Sequence, residues 1–332
     1  MIIPEKLKKG DEIRVVAPAQ SLSLVSEENI SLAKEKLERE GFVVTFSKNC
    51  RESDILNSSS IQSRVDDLNE AFADKNVKAI LTAIGGFNSN QLLKHLDFDL
   101  IKNNPKILCG YSDITALSNA IFVKTGLVTY SGPHFSTFAM KQESEYNEEY
   151  FKKCLVEGVA SDDGFILESS ETWSEDLWFL DQEKRDIRKN EGAIALNNGE
   201  AESVIFGGNL GTLTLLTGTE FMPDLAGSIL FIEDEGSLGS GFAVDFDRNL
   251  QALTMQKGFE KIRGLVIGKF PKNSEMNLEK IEHIINTKQG LGNIPIVYNA
   301  NFGHTNPIFT FPIGGMMRMT VKDGKVELKI IS

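Results

Sequence analysis

Residues 106–115, KILCGYSDIT, pass from a short apolar stretch through Gly110 into an apolar helical pattern, so Ser112 sits on a strand-to-helix turn. Such a turn can lift a serine hydroxyl above a sheet, and the backbone N–H of Asp113, opening the helix, then points where an oxyanion would develop. The usual Gly-x-Ser-x-Gly elbow needs a glycine where this chain has Ile114. A serine at this position can equally cap the helix.

A serine nucleophile needs a base, and there are four histidines to consider. His95 and His283 lie in helical patterns among charged neighbours and read as solvated. His304, in NFGHTNP, leaves an apolar run at 296–300 and precedes the turn signal Asn306-Pro307. That position suits a base at the carboxyl end of a strand, or a plain structural role. His134, after Gly132-Pro133, is the reserve candidate. A carboxylate that orients the base belongs at a strand end, and Glu233 ends the apolar run of LFIEDE directly. Asp234 and Glu235 are expected in a solvated or capping role beyond it.

Gly85-Gly86-Phe87-Asn88 separates a strand from a helix, and Gly86 could complete an oxyanion hole or simply form a turn. FGGNLGT at 206–212 matches neither dinucleotide nor P-loop spacing. Asp97/Asp99 and Asp245/Asp247 lack further ligands at chelating spacing and read as solvated helix faces, so neither metal nor cofactor is expected. The two tryptophans, Trp173 and Trp178, could stack on a planar ligand or fill an ordinary contact.

These residues need a scaffold, and the first half supplies alternating strands and helices. Apolar runs at 13–17, 42–46, 77–84, 106–109 and 127–131 are separated by helical spacing at Ile30/Ala33/Leu37 and Ile61/Val65/Leu68/Phe72 and by a helical pattern over 113–124. Ser26 offers an N-cap before Glu27 and Glu28. The alternation predicts an α/β fold with a mostly parallel sheet, whose ligands bind beyond the strands' carboxyl ends. Residues 1–161 are expected as one domain, 162–200 as an irregular linker and substrate loop, and 201–332 as a second domain. Its strands fall at 203–206, 229–233, 265–270 and 296–300, and Asp323-Gly324 signals a hairpin between 316–321 and 326–331.

The chain's 332 residues suit about two domains. The net charge of −12, from 35 basic and 47 acidic side chains, disfavours nucleic acid. No apolar stretch approaches the ~20 residues of a membrane span. Charges in the first residues disfavour a signal peptide, and three cysteines without CxxC spacing fit a reducing compartment, so a cytoplasmic location is expected.

Taken in order, KKGDEIRVVAPA, AIGGFNSNQLL, PKILCGYSDITAL, GLVTYSGP, FGGNLGTLTLLTGTEF, LFIED, RGLVIGKF and GHTNPIFTFPIG resemble the LD-carboxypeptidase family of serine peptidases along nearly the whole chain. That family includes muramoyl-tetrapeptide carboxypeptidases and microcin C self-immunity peptidases. The resemblance implies Ser112 as nucleophile, His304 as general base, Glu233 as triad acid, and Gly86 and Asp113 as the oxyanion-hole residues. Its elbow reads Gly-Tyr-Ser-Asp, which removes the objection raised by Ile114. It further implies an N-terminal α/β sandwich, a C-terminal domain of β-barrel character and a homodimer.

GGFNSN, with Asn88 and Asn90, and WSEDLWFLDQE resemble the microcin self-immunity branch, in which a tryptophan stacks on the nucleobase of an aminoacyl-nucleotide. Trp173, Trp178 and Asn88 are the expected substrate contacts. The expected activity is metal-independent hydrolysis of the amide bond in peptidyl- or aminoacyl-nucleotides. Murein tetrapeptide is the alternative substrate, and a noncatalytic small-ligand protein the alternative class.

Overall fold

The structure, a computed structural model, describes residues 1–161, 163–236 and 239–331. Residues 162 and 332, at the edges of two expected segments, lie outside the described residues, as do 237 and 238.

Strands and helices alternate through the first half: β1 (Glu12–Val16), α1 (Glu27–Arg39), β2 (Val43–Phe46), α2 (Ile61–Ala73), β3 (Val77–Thr82), α3 (Phe98–Asn103), β4 (Ile107–Cys109), α4 (Ile114–Thr125), β5 (Thr129–Ser131) and α5 (Glu145–Leu155). Local sequence explains the boundaries. Ser26 accepts from Asn29 N at 3.2 Å, and α1 carries Glu27 and Glu28 in its first turn and Lys36 and Arg39 in its last, matching the helix dipole. Helix α4 stops at Gly126, whose φ of 76° supplies the left-handed cap.

The chain continues through β6 (Phe165–Ile166), β7 (Thr172–Trp173), β8 (Arg188–Lys189), β9 (Ile194–Asn197), β10 (Gly199–Asn209), α6 (Leu210–Thr214), β11 (Ile229–Glu233), α7 (Phe242–Thr254), β12 (Gly264–Gly268), α8 (Leu278–Asn286), β13 (Ile296–Ala300), β14 (Phe311–Ile313), β15 (Met316–Lys322) and β16 (Lys325–Ile331). The last two form the hairpin expected at Asp323-Gly324, where both residues have positive φ.

Two large sheets result. The first, β14-β5-β4-β3-β1-β2, is parallel except for β14. The second, β6-β16-β15-β10-β11-β12-β13-β9, has β10 to β13 parallel and antiparallel strands on both sides. It curls, so β9 also touches β15 and β16. Segment 163–200 contributes β6 and β9 to this sheet and closes β7 and β8 into a small hairpin. Strand β14 crosses back to the first sheet, and one continuous apolar core runs between the two. No helix among the described residues is long and apolar enough to cross a membrane.

The second sheet docks onto the first through α4. Asn119 on α4 donates to Gly207 O at 2.9 Å and accepts from Gly207 N at 3.2 Å, while Thr115 Oγ1 accepts from Asn209 N at 2.9 Å. FGGN is the sequence counterpart of this approach. A Cβ on Gly208 would lie 2.3 Å from Thr115 Oγ1, and one on Gly207 would lie 1.9 Å from Phe231 O. Asn209 is the register partner of Glu233, so the helix that begins just after Ser112 is fixed to the strand next to the one that ends in Glu233.

Asn119→Ala strands a buried backbone N–H and C=O, so it should destabilise the fold by about 2–4 kcal/mol. Urea denaturation would show this as a lowered midpoint. An unchanged midpoint would mean that the junction is held by something else.

Candidate active site

Ser112 leaves β4 with φ of 59°, a left-handed conformation costing a non-glycine residue about 1–2 kcal/mol. It does not cap α4: the cap position belongs to Asp113, whose side chain makes no capping bond, and the helix starts at Ile114 rather than at 113. The strained turn sets the Ser112 hydroxyl 3.0 Å from His304 Nε2. On the other face of the ring, Nδ1 lies 2.8 Å from Glu233 Oε2. An ionised carboxylate only accepts, which assigns the proton to Nδ1 and leaves Nε2 of the neutral ring to accept from Ser112.

Glycines make room for this line. A Cβ on Gly303 would come within 2.6 Å of Glu233 Oε2, and one on Gly268 within 2.8 Å of Glu233 Cβ. The His304 loop is clamped at both ends. Phe302 and Phe309 stack with centroids 5.6 Å apart, and the backbone of Asn306 exchanges hydrogen bonds of 2.8 and 2.9 Å with Ser174.

Burial alone opposes a charge on His304. The charge and hydrogen bond of Glu233, reinforced by Glu235 and Asp234, outweigh it and raise the imidazole to about 9. Asp234, expected in a solvated or capping role, takes the second: it is buried and accepts from Gly211 N in the first turn of α6, and burial beside Glu233 pushes it up to about 6.

The reserve histidine has the opposite character. His134 is buried under the turn, stacks on Tyr111 at 4.4 Å, and its Nδ1 lies 2.7 Å from Thr82 Oγ1. Burial, and then the nearby His304, depress it to about 3, so it stays neutral. Burial, with the Glu233 charge, pushes the Tyr111 phenol up to about 12. His95 and His283 are exposed, as expected.

Gly85 presses against the serine turn and Gly86 against the loop after β1. A Cβ on Gly85 would lie 3.2 Å from Ser112 Oγ, and one on Gly86 would lie 2.8 Å from Gln20 N. Asp113 fastens this loop, its carboxylate accepting from Asn88 N at 3.0 Å and Ser89 N at 2.8 Å. Gly86, Ser112, His134, His304 and Trp178 border one cavity of about 450 Å³, within the range of small-molecule sites.

The two tryptophans part company. Trp178 is largely buried and lines that cavity, whereas Trp173 lies in β7 under Lys269, Arg188 and Lys272, whose charges sit 4.4, 5.5 and 5.8 Å from its ring. Asn88 does not border the cavity; its side-chain oxygen accepts from Arg64. The paired aspartates are structural. Asp97 caps α3, Asp245 accepts from Asn249, and Asp247 pairs with Lys288.

Sequence reasoning missed the buried arginines. Arg185 holds the tryptophan loop through Asp176 at 2.7 Å, Ser174 Oγ at 2.8 Å and Gln142 O at 3.0 Å. Arg64 stands among Ile61, Val65 and Leu68 on the apolar face of α2, and a lone arginine on such a face was the available signal.

Residues 13–132 match the LD-carboxypeptidase N-terminal domain, and residues 202–319 match the LD-carboxypeptidase C-terminal domain. The chain belongs to the LD-carboxypeptidase family. It is therefore a hydrolase, and the noncatalytic alternative falls away. An MccF-like protein from Bacillus anthracis (strain Ames) is 53% identical and superimposes over 100% of both chains with a TM-score of 0.97.

The microcin C7 self-immunity protein MccF of Escherichia coli is 31% identical over 94% of this chain and 91% of its own. A solved structure of MccF in complex with aspartyl sulfamoyl adenosine matches at 28% identity and a TM-score of 0.84, covering 100% of this chain and 99% of that one. A Bacillus subtilis relative named "Probable murein peptide carboxypeptidase" is 31% identical over 96% of this chain and 92% of its own.

If His304 is the base it must be neutral to act, so kcat/KM of this hydrolase should rise with pH about a midpoint near 9 and level off above it. Glu233→Gln removes the charge that raises the imidazole. The limb should then move down toward 6.5 or below while the plateau drops roughly a hundredfold or more. A wild-type limb already at 6.5, or one that Glu233→Gln leaves in place, would contradict this.

Proposed function

We propose that the protein is a serine-type amidohydrolase that cleaves the amide bond of peptidyl- or aminoacyl-nucleotides. The observation that carries the reading is the hydrogen-bonded line Ser112–His304–Glu233 opening into the same cavity as Trp178. Ser112 Oγ attacks the acyl carbonyl while its proton passes to His304 Nε2. Glu233 holds the ring in the Nδ1–H tautomer and stabilises the imidazolium. The backbone N–H groups of Gly86 and Asp113 receive the oxyanion. Collapse of the tetrahedral intermediate returns the proton to the leaving nitrogen, and water then hydrolyses the acyl-serine by the same route.

The nucleotide assignment draws on MccF, solved with aspartyl sulfamoyl adenosine and with glutamyl sulfamoyl guanosine, and on Trp178, whose ring can stack on a base. Gly86 and Asp113 are thus the proposed contacts at the bond and Trp178 the proposed contact at the base, while Trp173 and Asn88 lie in the segments behind them. The second reading, release of terminal D-alanine from murein tetrapeptide, is favoured by the Bacillus subtilis relative and uses the same machinery. The working form in this reading is a cytoplasmic homodimer; its three cysteines are free and buried.

Wild type and Ser112→Ala are incubated with an aminoacyl sulfamoyl adenosine, and the products are read by mass spectrometry. Wild type should release the amino acid and sulfamoyl adenosine, with Ser112→Ala at least roughly a thousandfold slower. An intact nucleotide alongside D-alanine release from murein tetrapeptide would select the second reading. Full activity in Ser112→Ala would overturn the mechanism.

A further inference from the structure

The chain buries an arginine immediately behind the serine turn, and the mechanism above leaves it unused. Arg64 is only 2% exposed. From α2 its Nη1 donates to Pro18 O at 3.2 Å, to Asn88 O at 3.2 Å and to Asn88 Oδ1 at 3.0 Å, and its Nη2 donates to Gln91 Oε1 at 2.7 Å. Pro18 lies in the loop after β1, and Asn88 and Gln91 lie in the segment after β3. The turn after β4 enters from the other side, where Asp113 accepts from Asn88 N and Ser89 N and its carbonyl accepts from Ser89 Oγ at 2.7 Å.

Asn88 is therefore held between opposite charges: its C=O faces the guanidinium and its N–H faces the carboxylate. Three adjacent strand ends are thereby tied into one rigid body that includes Gly86 and the backbone of Asp113. Burying the two charges is costly unless their position matters, and a donor's position matters most where negative charge develops in a transition state.

We propose that Arg64 is a positioning residue for oxyanion stabilisation: acting with Asp113 through Asn88, it sets the 85–89 loop against the Ser112 turn. The inference rests on the serine-hydrolase reading. Burial raises the Asp113 carboxyl; the hydrogen bonds from Ser89 and Asn88 oppose this most, and the Arg64 charge adds to them. Asp54 is the other acid whose field reaches Arg64.

Three variants test it: Arg64→Lys, which keeps a charge but cannot fork across three loops; Arg64→Met; and Arg64→Met combined with Asp113→Asn. The readouts are kcat and KM on the cleaved substrate, the rate at which a fluorophosphonate labels Ser112, and the thermal midpoint. Arg64→Lys should lower kcat and labelling together by about tenfold to a hundredfold, with KM within about threefold of wild type. In the double variant the buried carboxylate is no longer stranded, so it should be no slower than Arg64→Met and should melt higher.

Wild-type labelling and kcat in Arg64→Lys would overturn the inference, as would a KM effect alone or a double variant slower than Arg64→Met. Should Arg64→Met fail to fold, Arg64→Lys decides. A wild type that does not label at all overturns the serine reading and this inference with it. A wild type that labels while Arg64→Lys labels equally fast overturns this inference alone.

Discussion

Everything at the site depends on the contact between α4 and β10. Asn119 and Thr115 grip the backbone of Gly207 and Asn209 directly, and Gly208, where a Cβ would meet Thr115, lets helix and strand come close enough for that. One neighbour away, β11 ends in Glu233. The hydroxyl and the carboxylate lie far apart in sequence and on different sheets, yet a single helix and a single strand pair separate them in space. The His304 loop then has only to span from β13 back to β14, the strand that rejoins the first sheet. A shift of about 1 Å at such a junction would lengthen the bond between Ser112 and His304, a displacement of the size that costs catalysts heavily.

The cavity also separates two imidazoles by environment. His304 has Glu233 at 2.8 Å and is raised to about 9, whereas His134 has a hydroxyl at 2.7 Å and falls to about 3. One is thus a group that can exchange a proton, and the other a neutral plate under Tyr111. Distinct environments sort like residues into distinct roles in many enzymes. Position in the sequence ranked His304 ahead of His134 but could not show the partners, Glu233 for one and Thr82 for the other, that set the two rings apart.

Periodicity and turn chemistry made much of the fold legible. The strands at 229–233 and 296–300, the Ser26 cap and the Asp323-Gly324 hairpin follow from local pattern and recur in the structure. Three features were hidden because they depend on non-local packing. FGGN matched no nucleotide-binding spacing, and the approach of α4 to Gly208 and of β11 to Gly207 that it serves could not be read from it. Asp234 could be read as solvated or capping, but its burial beside Glu233 under α6 could not be foreseen. Trp173 and Trp178 were indistinguishable by composition; the short hairpin of β7 and β8 turns one under a cluster of cations and leaves the other at the cavity. Ser112, Glu233 and His304 were each ambiguous alone, and the ordered set of motifs singled them out.

In the proposed mechanism one rigid junction aligns nucleophile, base and acid beside a cavity in which an acyl carbonyl sits between Ser112 and the N–H groups of Gly86 and Asp113. The most direct measurement is a crystal structure of Ser112→Ala with an aminoacyl sulfamoyl adenosine bound. The carbonyl oxygen should lie within hydrogen-bonding distance of both N–H groups, the leaving nitrogen should face His304 Nε2, and the nucleobase should lie against Trp178. A ligand whose carbonyl points away from both N–H groups, or one that binds outside this cavity, would contradict that mechanism.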